Sequence, residues 1–334
     1  MSRNQWIRIG MIVCVLVIVV AVAVNLAGLF SGSPFGYANA EKYTAGETSI
    51  SESVRNLEID WINGKVNLAY HSSGTVELSE TSDRVISPDL QLRWWLDGDT
   101  LRIQYAKSGF RLNSNQQKEL TVTLPEGISL NNVSISATSG DLNIPALEAE
   151  ALRMEVTSGD IYAEAGTRTA EVRATSGDIT LKLRGEAEGV TVGTTSGNVG
   201  IEAEKARKIK VSSTSGGIGI SAGETQECEA GATSGNVYVD LHEAGNVKIG
   251  TTSGGIQVSL AKFASLKANS TSGQVTAALS DAPGFTAEIG SVSGRMDYNM
   301  PLSRNGDTYV CGDGSGKVEI GTTSGNIQLN AVDN

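Results

Sequence analysis

Along most of the chain, apolar and polar residues alternate in runs of about five, and the runs come in pairs around the triplet Thr-Ser-Gly. With the Thr as origin, apolar residues fall five and three positions before it and four, six and eight after it. They are Val190, Val192, Val199, Ile201 and Ala203 around Thr195, and Val247, Ile249, Ile256, Val258 and Leu260 around Thr252. The triplets begin at 138, 157, 175, 195, 214, 233, 252 and 271, an average step of 19 residues. Alternation with period two predicts strands with one buried face, and a fixed period predicts stacked units. Two short strands, one tight corner and one looser corner fill such a period. The pattern therefore predicts an all-β fold, a parallel β-solenoid of 19 residues per coil over residues 126–334. A meander of β-hairpins turning at Ser-Gly-Asp or Ser-Gly-Asn is the competing architecture.

The triplet loosens to Val292-Ser-Gly, Gly314-Ser-Gly and Thr323-Ser-Gly, and Trp61-Ile62-Asn63-Gly64 stands four periods before Thr138. These read as degenerate coils at the two ends, where a solenoid must be capped. The corner glycine is expected at positive φ, where a side chain is strained. The residue after it is Asp141, Asp160, Asp178, Asn198, Gly217, Asn236 or Gly255, which is turn chemistry. The stacked Thr and Ser are expected to hydrogen-bond from coil to coil.

Residues 51–125 carry longer strands and form a β-rich capping region, with a hairpin turning at Asp97-Gly98 inside "LQLRWWLDGDTLRIQY". Trp94 and Trp95 read as packing of the cap, since only one of an adjacent pair can face inward, with a ligand platform as the alternative. Upstream, Ile9 to Phe30 is an apolar run interrupted only by Asn25 and long enough to cross a bilayer as a helix. Arg3 and Arg8 precede it while Glu41, Lys42 and Glu47 follow, so residues 1–8 are expected in the cytoplasm and the repeats outside. Residues 9–30 are then a signal-anchor, a single-pass transmembrane helix in the cell membrane, and 31–50 a tether. Cleavage after Ala40 in "YANA" is the competing reading.

Without Arg3 and Arg8 the chain keeps 24 basic residues against 37 acidic, a net −13 that excludes nucleic acid as a partner. Cys228 and Cys311 lie at apolar strand positions in what read as separate coils, so two free, buried thiols are expected rather than a disulfide. His71 and His242 lack the spaced partners of a metal set, and no nucleophile elbow, phosphate loop or dinucleotide fingerprint occurs. Asp141, Asp160 and Asp178 would stack in a row, but Asn or Gly fills the same turn elsewhere. The sequence thus nominates no catalytic, cofactor-binding or metal residue, and calcium is expected to bind that row weakly or not at all.

An N-terminal anchor, a strand region ending "KELTVTLPEG", repeated "TSGDI" units and the ending "GDGSGKVEIGTTSGNIQL" together resemble a bacterial β-strand-repeat family of unknown function, usually labelled "putative adhesin". That family is similar to a membrane-anchored protein of cell-envelope stress operons in Gram-positive bacteria. The resemblance covers roughly residues 54 to 330 and implies a place in the envelope; it carries over no catalytic residue. The expected function is a non-enzymatic, membrane-anchored, extracytoplasmic scaffold, adhesin or envelope-stress accessory whose partners are envelope components. A carbohydrate-active enzyme and a self-assembling structural element are the alternatives.

Overall fold

The computed structural model describes residues 38–109, 116–281 and 283–332. The proposed span 9–30 and its cytoplasmic tail lie outside them. Among the described residues no helix is long and apolar enough to cross a membrane. The chain divides between Arg184 and Gly185 into two compact units.

In the first unit, β1 (Thr44–Ala45), β2 (Thr48–Ile50), β3 (Asn56–His71), β4 (Val76–Ser82), β5 (Arg93–Asp97), β6 (Thr100–Gln104) and β7 (Lys118–Pro125) precede the regular coils. Those coils begin with β8 (Leu130–Ser139), β9 (Leu142–Ser158) and β10 (Ile161–Ser176). The order in space is not the order in the chain. β3 lies between β6 and β7 on one side and β8 and β9 on the other, all parallel. Its offset to β8 is four periods, Asn56 opposite Asn132, so the four-period spacing in the sequence marks neighbours rather than coils with others between them. β4 and β5 close the outer edge antiparallel to β7 and β6, and β5 and β6 form the hairpin at Gly98. Residues 44–50, read as the end of a tether, add β1 to β5 and β2 to β4, because Ile50 buries its side chain there.

β11 (Ile179–Ser196) spans the division. The second unit continues with β12 (Val199–Ser215), β13 (Ile218–Ser234), β14 (Val237–Ser253) and β15 (Ile256–Ser272), each in parallel register with the next at the spacing of one period, so that Val199, Ile218, Val237 and Ile256 line up. The ladder between β12 and β13 skips Gly223 and Gln226, leaving Glu224 and Thr225 as a short third side. The coil is therefore three-sided, not the two strands and two corners that the sequence predicts. A third inward position, held by Ala206, Thr225 and Ala244, is buried in successive coils. Glu186, Lys205 and Glu224 form an exposed row of opposite charges on adjacent coils, with Lys205 Nζ 3.7 and 3.2 Å from its neighbours. Exposed pairs of this kind add little stability, but they favour the observed register over a slipped one.

The C-terminal end is also threaded out of order. After β16 (Val275–Leu279) the chain leaves for β17 (Gly284–Ser293), β18 (Met296–Asn299), β19 (Ser303–Asn305) and β20 (Thr308–Gly312), then returns as β21 (Gly316–Ser324) and β22 (Ile327–Ala331). β21 and β22 insert between β15–β16 and β17–β18. The corner order is therefore Gly273, Gly325, Gly294. Gly314-Ser-Gly is not a coil corner: Gly314 follows β20, which runs antiparallel to β17. Cys311 sits on β20 rather than in coil register, yet it and Cys228 are both free and buried as expected. Burial in an apolar wall pushes the Cys228 thiol up to about 12.

The corner explains the repeated triplet. The hydroxyl preceding it is buried and donates to the corner carbonyl of the neighbouring coil, as Thr251 Oγ1 does to Gly235 O at 3.2 Å and Ser270 Oγ to Gly254 O at 3.0 Å. The residue after the corner does the reverse. Asp141 Oδ1 accepts from Asp160 N at 3.0 Å, Asp160 Oδ1 from Asp178 N at 2.8 Å, and Asn236 Oδ1 from Gly255 N at 2.8 Å. Asp and Asn recur because each presents an oxygen one coil away, a contact that spacing alone does not reveal. Asp160→Asn is accordingly expected to melt like wild type, whereas Asp160→Ala loses the bond and about 1 kcal/mol in chemical denaturation.

Candidate functional site

Outward-facing side chains of three adjacent parallel strands form the floor of a cleft in the first unit. Register sets Arg102, Glu58 and Ser134 in one row across β6, β3 and β8, and Gln104, Asp60 and Ser136 in the next. Neighbouring strands lie about 4.8 Å apart, and side chains two residues apart on a strand about 6.6 Å. The rows exist only because β3 is interposed between β6 and β8. Ala38, Asn39, Tyr43 and Trp95 of β5, the last opposite Arg102 in the ladder, complete the lining. The cleft has a volume of about 370 Å³ and is open to solvent. The Tyr43 and Trp95 rings meet edge to face at 5.7 Å, and the Lys42 ammonium lies 4.6 Å from the Trp95 centroid. Of the adjacent tryptophans, Trp95 lines the cleft, while Trp94 pairs with inward-facing Ile103.

The electrostatics are uneven. Arg102 bonds Glu58 and holds Nε 3.6 Å from Asp97 Oδ2. Asp60 has no cation among the described residues, and its Oδ1 accepts only from Ser136 Oγ at 3.3 Å. The cleft walls strip part of its hydration and push the Asp60 carboxyl above its ordinary value, with the Ser136 bond pulling the other way. Gln104 is 7% exposed and lines the cleft, yet no described residue hydrogen-bonds its side-chain amide. Its amide atoms are not among the buried unsatisfied ones, so they reach solvent in the cleft.

A family model described as Toastrack DUF4097 matches residues 54–164, 126–229 and 169–330. The chain belongs to the toastrack family. The three overlapping matches take in β3 and the capping strands as well as the coils, so the floor of the cleft lies within toastrack sequence. No curated protein matches the chain. Among solved structures, this toastrack chain is similar to a "putative adhesin" from Bacteroides fragilis, at 11% identity and TM-score 0.34, covering 86% of this chain and 97% of that one. It is also similar to a "putative adhesin" from Parabacteroides merdae, at 12% identity and TM-score 0.32, over 87% and 97% of the two chains. A third is a "putative cell adhesion protein" from Clostridium sporogenes, at 12% identity and TM-score 0.20, over 86% and 100%.

The corner acids Asp141, Asp160 and Asp178 line up in the toastrack coils but stand apart from this cleft, and one oxygen each of Asp141 and Asp160 is engaged with a backbone N–H group. No cluster of three metal-ligating side chains occurs among the described residues. The sequence names the pair Trp94 and Trp95, chiefly as cap packing, and singles out neither Asp60 nor Gln104. Their alternation in β3 and β6 was visible, but not that the two strands are neighbours. Because the folded state raises the Asp60 value, folding resists losing that proton, and stability falls as pH rises through the window from 3.8 to the raised value. Asp60→Asn should therefore melt higher than wild type at neutral pH. The gap should close below pH 3.8, where both states carry the proton.

Proposed function

We infer that this toastrack chain is a non-enzymatic binding protein of the cell envelope, a scaffold, adhesin or envelope-stress accessory that presents the β6–β3–β8 cleft to envelope components. The observation that carries this reading is the cleft itself, concave, walled by Trp95 and Tyr43, and holding the unpartnered Gln104 amide. The placement of Arg3 and Arg8 before the apolar run 9–30 supports a single-pass anchor with the N-terminus cytoplasmic and the coils outside. One observation favours an enzyme: Glu58 and Asp60 share a face about 6.6 Å apart, a separation suited to paired carboxylates in glycoside cleavage. Arg102 weighs against it, because its guanidinium occupies the Glu58 carboxylate that would have to reach the substrate.

The test is a photo-crosslinking residue at Ser134, on the cleft floor, against one at Ser221, on the outer face of β13, in the full-length chain in intact cells. Adducts specific to Ser134 support the binding reading; identical patterns from both positions contradict it. Protease added to the same cells should digest the chain from about residue 41 onward. Protected coils would reverse the orientation.

A further inference from the structure

We propose that the cleft binds one pyranose ring of a neutral or amine-bearing glycan. The proposal rests on the binding reading and names its ligand class. A volume of about 370 Å³ is at the small end for ligand sites and suits a single ring rather than a chain. Trp95 lines the cleft with Tyr43 edge-on to it and with the Lys42 ammonium and the Arg102 guanidinium carbon 4.6 and 5.8 Å from its ring centroid, a wall of aromatic edges and cationic donors against which one sugar ring can pack and hydrogen-bond.

The polar floor matches hydroxyl chemistry. Gln104 offers both donors and an acceptor, none of them engaged. Asp60 retains acceptor capacity, the Ser134 hydroxyl can donate or accept, and the Ser136 oxygen can accept while its proton is given to Asp60. Sugar hydroxyls donate and accept at once, so one ring satisfies several of these groups together. The two rows repeat over about 4.8 by 6.6 Å, the scale on which one ring's substituents are spread. Charge narrows the class further. Glu58, Asp60 and Asp97 outnumber Arg102 in the walls, and their field repels a carboxylated or phosphorylated sugar while tolerating an ammonium beside Asp60.

The experiment is a titration of the full-length chain, solubilised in detergent, with methyl β-D-glucopyranoside, methyl β-D-glucosaminide and methyl β-D-glucuronide, followed by saturation-transfer NMR and tryptophan fluorescence. The first two should bind at millimolar concentration and the glucuronide at least about tenfold more weakly. Gln104→Met and Trp95→Leu should each weaken glucoside binding by about tenfold or more, with the melting curve showing that the variant is folded. Absence of saturable binding by the glucoside and glucosaminide, a glucuronide that binds as well as they do, or a folded Gln104→Met protein with wild-type affinity would each overturn the proposal. If the pyranosides fail while Ser134 still captures a specific adduct in cells, the ligand class falls and the binding reading stands. If both fail, both fall.

Discussion

Gly235→Val should unfold the central coils of the second unit, lowering stability by about 4 kcal/mol or more, while Gly185→Val should cost about 1 kcal/mol. A positive φ at the corner, the reason the sequence suggests, accounts for Gly159, Gly177, Gly197 and Gly216, at 140 to 146°. It does not account for Gly235, which is outside the positive-φ set. What excludes a side chain there is the neighbouring coil. A Cβ on Gly235 would lie 2.6 Å from the Gly216 carbonyl carbon and closer still to its oxygen, both of them backbone atoms that cannot swing aside. Gly185 has φ of 70° but open space around it, so only local strain is at stake. Urea denaturation of the two variants makes the comparison, and equal losses would mean that the corners are not stacked as described.

The second large effect is expected in the cap. Lys118 and Glu80 form an ion pair at 2.7 Å with side chains 0 and 5% exposed. The ammonium also donates to the Leu90 and Tyr105 carbonyls, and it lies 4.1 Å from the Tyr105 ring and 4.9 Å from that of Trp61. Glu80 Oε1 accepts from Leu92 N at 2.8 Å. Desolvation lowers the Lys118 value, opposed by the Glu80 bond and charge. Removing one partner strands the other charge, so Lys118→Met or Glu80→Leu alone should cost about 3–5 kcal/mol. The double variant should recover most of that loss, since an apolar pair of similar volume leaves no charge to strand. Thermal melts of the three variants provide the check; additive losses in the double variant would show that the pair is not coupled.

Both effects mark what the sequence could and could not convey. The coil period was legible because Val237, Ile256 and their equivalents occupy one ladder position in successive coils, and a partner one period away imposes the same demand each time. The third inward position was not, because Ala206, Thr225 and Ala244 are small or polar and look like loop residues. Coil order at the two ends was hidden for a different reason. A triplet reports the register of a strand and says nothing about which strand lies beside it, so residues 316–331 read as the last coil although they are threaded between earlier ones. The cleft inherits that blindness. Asp60 and Gln104 are far apart in the chain and become neighbours only when β6 is laid against β3. Nothing in the sequence singles out Lys118, because its partner, Glu80, arrives on a strand outside the repeat.

The adjacency of β3 and β8 is therefore the claim on which the cleft depends, and a paired-cysteine experiment tests it directly. Parallel neighbours place Cα atoms about 5 Å apart, within the range a disulfide can span. Glu58→Cys combined with Ser134→Cys should oxidise to an intramolecular disulfide, because these residues are opposite each other in the ladder. Glu58→Cys with Glu77→Cys, the pair that coils consecutive in the chain would place side by side, should remain reduced, since β4 sets Glu77 against Thr123 instead. A bond in the second pair and none in the first would contradict the strand order and dissolve the cleft with it.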